Sequence, residues 1–149
     1  MKLVVRPYVL LSAVLALLVI ASAALSVRKP AETRMMTLGD AQLSVQLADT
    51  PEKTSRGLGG RDSLPRDSGM LFMFGTSDRW RFWMKDMRFP LDFIWIDENW
   101  RVVSVTPDIG PETYPQLFLP PAPVRYVLEV NAGWAAMHNI VPGTQAVLK

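Results

Sequence analysis

The chain has 149 residues, enough for one domain, with no cysteine and a formal net charge of +2. The absent cysteine excludes disulfides, thiolate metal sites and a cysteine nucleophile. Four of the 16 bases, Lys2, Arg6, Arg28 and Lys29, fall in the first 30 residues, which hold no acid, so the remaining 12 bases face 14 acids and residues 31–149 carry −2. The basic pI therefore belongs to the leader and gives no support to a nucleic-acid partner.

Lys2 and Arg6 precede an apolar run from Val9 to Ile20 and then Ala21-Ser22-Ala23-Ala24, the layout of an export signal spanning residues 1–25. The same stretch admits a second reading. Pro7 to Val27 gives 21 uncharged residues, long enough for a hydrophobic helix that stays in the membrane. Arg28 and Lys29 lie on the side that would be translocated, where positive charge resists export. Cleaved or retained, the leader places the body outside the cytoplasmic membrane, periplasmic or anchored to its outer face.

Residues 26–33 read as a linker and 34–149 as a single domain. Met35–Leu38 and Leu43–Leu47 predict a hairpin around Gly39-Asp40. Thr50-Pro51-Glu52 predicts a helix start, with Thr as cap and Pro at the first position, and Gly57, Gly59 and Gly60 end it by about residue 58. Gly69–Phe74 is apolar throughout and predicts a strand buried on both faces. Trp80–Met87 alternates: Trp80, Phe82 and Met84 share one face, while Arg81, Trp83, Lys85 and Met87 share the other, as in a further strand. Leu91–Asp97 and Arg101–Thr106 predict a hairpin, with Asn99 best suited to positive φ in its turn.

Six of the 17 residues from 107 to 123 are proline, which predicts an extended loop that either serves as a lid or covers a sheet edge. Val124–Val130 alternates as a strand, and Asn131 is placed to cap a short helix after it. Val141-Pro142-Gly143-Thr144 fits a type II turn before a closing strand, Thr144–Leu148. The sum is a mainly β (α+β) domain, a β-sandwich or partly closed barrel of about eight strands with two short helices.

Four blocks of this body, Gly57-Leu58 with Arg61 and Leu64, then GMLFMF, then FWMKDMRFPLDFIWID, then YVLEVNAG, resemble the bacterial and archaeal "domain of unknown function 192" family over residues 40–148. The resemblance implies a mostly β single domain, often exported, and no established activity. The chain departs from the family pattern at Gly59, where Met is expected. It also departs at Asp86-Met87, in place of Asn-Thr, and at Trp100, in a turn position that Gly usually holds.

The chemistry-bearing candidates are few. Asp92 and Glu129 lie in apolar strands, where a lone charge is expensive to bury. They predict either a carboxylate pair for acid/base work or structural ion pairs with Arg56, Arg61, Arg81, Lys85 or Arg125. Trp83 between Arg81 and Lys85 offers a stripe that stacks a sugar or holds an anion, unless the cations cover the indole. The glycines at 57, 59 and 60 end a helix rather than begin one, so they do not form a phosphate loop. Methionines 70, 73, 84 and 87 read as core filling before copper ligands. One histidine, His138, leaves zinc without a ligand set and suits a helix C-terminus. The functional expectation is an exported binding module for a small polar ligand or an envelope protein. Its site would be Arg56, Arg61, Arg81, Trp83, Lys85, Asp92 and Glu129, with no metal or cofactor. The alternatives are a hydrolase of an envelope polymer using Asp92 and Glu129, and a structural partner protein.

Overall fold

The computed structural model describes residues 32–149; the predicted leader and most of the linker lie outside the described residues. Seven strands form one sheet: β1 (Thr33–Leu38), β2 (Ala41–Ala48), β3 (Ser68–Asp78), β4 (Leu91–Ile96), β5 (Val102–Ile109), β6 (Val124–Asn131) and β7 (Ala146–Leu148). Their order is β5-β4-β6-β3-β2-β1-β7, antiparallel throughout except for β2 beside β3. Two short helices complete the domain, α1 (Pro51–Arg56) and α2 (Trp134–Met137), with a 3-10 turn at Pro111–Thr113. No helix among the described residues is long and apolar enough to cross a membrane.

The sheet curls until its two edges meet at one end. Arg101 bridges Gln145, the Gly143 amide donates to Val102 O at 2.8 Å, and the Ala146 amide donates to Trp100 O at 2.8 Å. The architecture is thus a half-barrel made from one sheet rather than a sandwich of two.

Alternation sends side chains to two separate cores. The enclosed face collects residues from all seven strands, among them Met36, Leu38, Val45, Leu71, Ile94, Leu128 and Ala146, and α2 adds Trp134 and Ala135. The outer face carries Met70, Phe72, Phe93, Trp95 and Val127, and the connection between α1 and β4 covers it with Leu58, Leu64, Phe82 and Met84. Burial on both faces explains the unbroken apolar run Gly69–Phe74 of β3 and a β4 that is apolar but for Asp92.

The eighth predicted strand is absent. Trp80–Met84 runs without a ladder and then turns at Lys85-Asp86, and only Phe82 forms a bridge, to Phe118 in the proline-rich loop. The predicted alternation survives at the side chains: Phe82 and Met84 are buried, while Arg81, Trp83 and Lys85 are exposed. A segment lying across a sheet face shows the same period of two as a strand within one, so the pattern alone could not separate them.

Two local expectations are also corrected. In the β4–β5 turn the positive φ falls on Trp100, at 61°, not on Asn99. Asp97 Oδ1 accepts from the Asn99 and Arg101 amides, and the Trp100 ring stacks on Tyr126 at 4.0 Å, which holds a bulky residue where Gly would be relaxed. At α2, Asn131 does not cap the helix. Its Nδ2 donates to Leu64 O and Pro65 O instead, and the capping acceptor comes from a different strand.

Candidate functional site

The two buried acids of the domain are built very differently. In the β4–β6 ladder Asp92 lies opposite Val130 and Phe93 lies opposite Glu129. Successive residues face opposite ways, so Asp92 and Glu129 point to opposite sides of the sheet. The predicted carboxylate pair therefore does not form.

Asp92 is fully buried on the enclosed side. Its Oδ1 accepts from the Asp108 amide at 2.9 Å and the Gly133 amide at 3.1 Å, and its Oδ2 accepts from the Ala135 amide at 2.9 Å. Gly133 is the N-cap residue of α2 and Ala135 its second residue, so the Asp92 carboxyl caps that helix from a neighbouring strand. This is a structural carboxylate satisfied by backbone donors, and no arginine is involved. The ion pairs among the described residues lie elsewhere: Lys53–Asp49 and Arg88–Asp62.

Glu129, on the outer side, is only 5% exposed and has no such partners. Met70 and Phe93 flank it on the neighbouring strands. Its Oε2 is buried without any hydrogen bond. Burial pushes its carboxyl from an ordinary 4.5 up to about 8, and the charge of Arg61 opposes the shift only in part. Glu129 is thus an uncharged acid at neutral pH.

Above Glu129 opens a cleft of about 860 Å³. One wall is α1 and the glycine turn after it, contributing Thr54, Ser55, Arg56, Gly57, Gly59 and Gly60. The other is the segment before β4 that carries Arg81, Trp83, Lys85, Asp86, Met87 and Arg88. The floor is aromatic: Phe72, Phe74, Trp80 and Phe82. Phe74 stacks on Trp80 with centroids 4.0 Å apart, and the Phe82 ring edge meets Phe72 at 4.8 Å. The Trp80 Nε1 is also buried without an acceptor.

The walls are tied by the Gly60 amide donating to Asp86 O at 2.8 Å. Gly57 has φ +53°, a conformation that strains any other side chain, and a Cβ there would lie in contact with the Phe72 ring. Asp86 itself has φ +58°, a region that both Asp and Asn tolerate, which accounts for either residue at this place in the family pattern.

Of the expected site residues, Arg56, Arg81, Trp83, Lys85 and Glu129 come together around this cleft. Trp83 is 47% exposed, with Lys85 Nζ 5.8 Å from its ring centroid and Tyr114 against its edge. Arg61 stands beside the cleft, donating to Gln46 Oε1 at 2.8 Å, and Asp92 lies on the far side of the sheet. The proline-rich loop supplies no lining residue and instead backs the Trp80–Met87 segment through Phe118 and Tyr114. Phe72, Phe74 and Trp80 were legible only as core; Asp86 was marked by its departure from the family pattern, and Arg88 at the rim carried no sequence signal beyond its charge.

The remaining candidates do not gather. His138 closes α2, its ring tilted against Trp134 with centroids 4.4 Å apart, and its Nε2 lies 3.9 Å from Asp67 Oδ1. Met70 and Met84 are buried in the outer-face core. No group of three or more His, Asp or Glu among the described residues is arranged to hold a metal ion.

A single curled sheet with a carboxyl-floored cleft on its outer face defines a small mainly β domain of the half-barrel kind. The chain belongs to the DUF192 family, described as "Uncharacterized ACR", whose model matches residues 34–148. It is similar to a crystal structure from Sinorhizobium meliloti 1021, provisionally described as a transcription regulator. The identity is 28% and the TM-score 0.76, with 81% of this chain and 97% of the other covered. It is also similar to a protein of unknown function from Novosphingobium aromaticivorans DSM 12444, at 28% identity and a TM-score of 0.73, covering 77% of this chain and 84% of the other. None of the curated proteins matches it.

Proposed function

We propose that the domain is a non-catalytic binding module of the cell envelope that takes a small polar ligand in the cleft above Glu129. The contrast between the two buried acids carries this. A carboxyl kept for structure is satisfied, as Asp92 is by three amides. Glu129 is equally deep, yet its Oε2 has no partner and it borders an open cleft. An unsatisfied buried polar group costs about 1–3 kcal/mol, which a ligand supplying the missing hydrogen bond would recover. The cleft volume is in the range of small-molecule sites, with an apolar floor and a few convergent polar groups.

A hydrolase with Asp92 and Glu129 as acid and base has lost its pair to the geometry, because the two share no cleft. The relative's description as a transcription regulator has no counterpart in charge, since the body carries 14 acids against 12 bases. The leader supports a place outside the cytoplasmic membrane, periplasmic or anchored, and protease accessibility of the body in intact spheroplasts checks it. A body that stays protected would refute the envelope setting.

The ligand is sought by a thermal-shift screen against sugars, cell-wall fragments, organic acids and phosphates. Selective binding to the folded state raises the melting temperature. No shift across the panel counts against the module.

A protein partner is the second reading, and one observation favours it. Trp83 and Tyr114, both near half exposed and 5.7 Å apart, neighbour the exposed Leu117 and Leu119. Crosslinking in cells that survives Trp83→Ala and Tyr114→Ala would argue against this patch.

A further inference from the structure

The cleft's polar groups are almost all hydrogen-bond donors. Arg56, Arg81, Lys85 and Arg88 line it against one acid at the rim, Asp86, in a body whose overall balance is negative. Arg88 is engaged with Asp62, whereas Arg56, Arg81 and Lys85 have no carboxylate within 4.0 Å among the described residues. Deeper in, the Trp80 indole N–H lacks an acceptor, and Glu129 holds a proton at neutral pH. Guanidinium, ammonium, indole and carboxylic acid groups together call for a ligand rich in acceptors and negatively charged. The aromatic floor calls for an apolar body.

We propose that the ligand is a small organic anion, with its oxyanion held by Arg56, Arg81 and Lys85 and its apolar body laid on Phe74 and Trp80. This rests on the binding-module reading and narrows it to one chemical class. The anion enters while Glu129 keeps its proton. Ionising Glu129 would place a second negative charge under the ligand and remove a donor. The charged neighbours of Glu129 are Arg61 beside the cleft and the lining cations with Asp86. Arg125 shares its strand but is bonded through Nε to Phe74 O, and the flanking Met70 and Phe93 carry no charge.

The test titrates the full-length chain, held in a non-ionic detergent, with benzoate and phenyl phosphate, and with benzyl alcohol and N-acetylglucosamine as uncharged probes. Melting temperature and tryptophan fluorescence are both followed. Both anions are expected to raise the melting temperature and the uncharged probes to leave it unchanged. The double variant Arg56→Gln/Arg81→Gln should weaken anion binding at least tenfold, and Lys85→Gln, at another exposed site, provides a second check. From pH 7 to pH 9 wild-type affinity should fall about tenfold, while Glu129→Gln, which keeps a neutral donor, should hold its affinity. Equal binding of an uncharged probe, or full affinity in the double variant, overturns the anion and leaves the binding module standing. Failure of every probe overturns both.

Discussion

Replacing Glu129 with glutamine isolates what its burial does to stability. The folded protein prefers the protonated acid, with its carboxyl near 8 against an ordinary 4.5. The folded value is raised, so the stabilising contribution is complete below pH 4.5 and is lost as pH climbs through 8. At about 1.4 kcal/mol per pH unit, integration between pH 5 and pH 9 gives a loss of about 4 kcal/mol. Glutamine copies the shape of the neutral acid and cannot ionise. Its own imperfect hydrogen bonding adds an offset that does not depend on pH. The informative quantity is therefore the difference in melting temperature, variant minus wild type, followed from pH 5 to pH 9 by circular dichroism. The other acids titrate in both proteins and cancel. For a body of this size about 1 kcal/mol corresponds to about 4 °C, so the difference should grow by roughly 15 °C across the range. A difference that stays flat to within about 3 °C would show that Glu129 ionises freely in the folded state and offers no neutral donor to the cleft.

Asp92→Ala should destabilise the fold by about 3 kcal/mol or more, since three amides lose their acceptor at once, and chemical denaturation reads this directly. Gly69→Ala should also destabilise, by about 1–3 kcal/mol, because a new Cβ would sit 2.8 Å from Glu129 O and 3.0 Å from Leu128 Cδ1; an unchanged denaturation midpoint would mean the β3–β6 contact yields freely. Thr106→Val leaves the Trp95 Nε1 without its 2.8 Å acceptor and should cost about 1–2 kcal/mol, visible as a lowered melting temperature. Trp83→Ala should change stability by less than about 1 kcal/mol, since the ring is half exposed, while weakening any cleft ligand that stacks on it.

Much of the scaffold was legible because its signals are local. Thr50 and Pro51 start α1 with the Thr50 hydroxyl accepting from the Lys53 amide, and Gly57 ends it at φ +53°. Gly39-Asp40 turns the first hairpin, and Gly143 takes φ +93° in the predicted turn before β7. What was not legible depends on contacts distant in sequence. Asp92 caps a helix 41 residues away, so nothing near Asn131 could reveal the true cap. Asp92 and Glu129 both read as acids in apolar strands, but which face each takes depends on the β4–β6 register. The cleft brings α1, the Trp80–Met87 segment and β6 together, and only the cationic alternation of Arg81 and Lys85 hinted at its rim.

The Asp92 cap also bears on how the chain folds. Helix α2 has four residues, far too few to persist alone, and its acceptor is delivered by β4. The helix must therefore wait for β4 and β6 to find their register. The sheet around them is itself non-local, with β3 sitting between β6 and a parallel β2. Contacts of such long sequence separation fold slowly, over milliseconds to seconds. The lone carboxylate acts as a latch that closes last, so refolding of Asp92→Ala should keep a near-normal rate while unfolding accelerates.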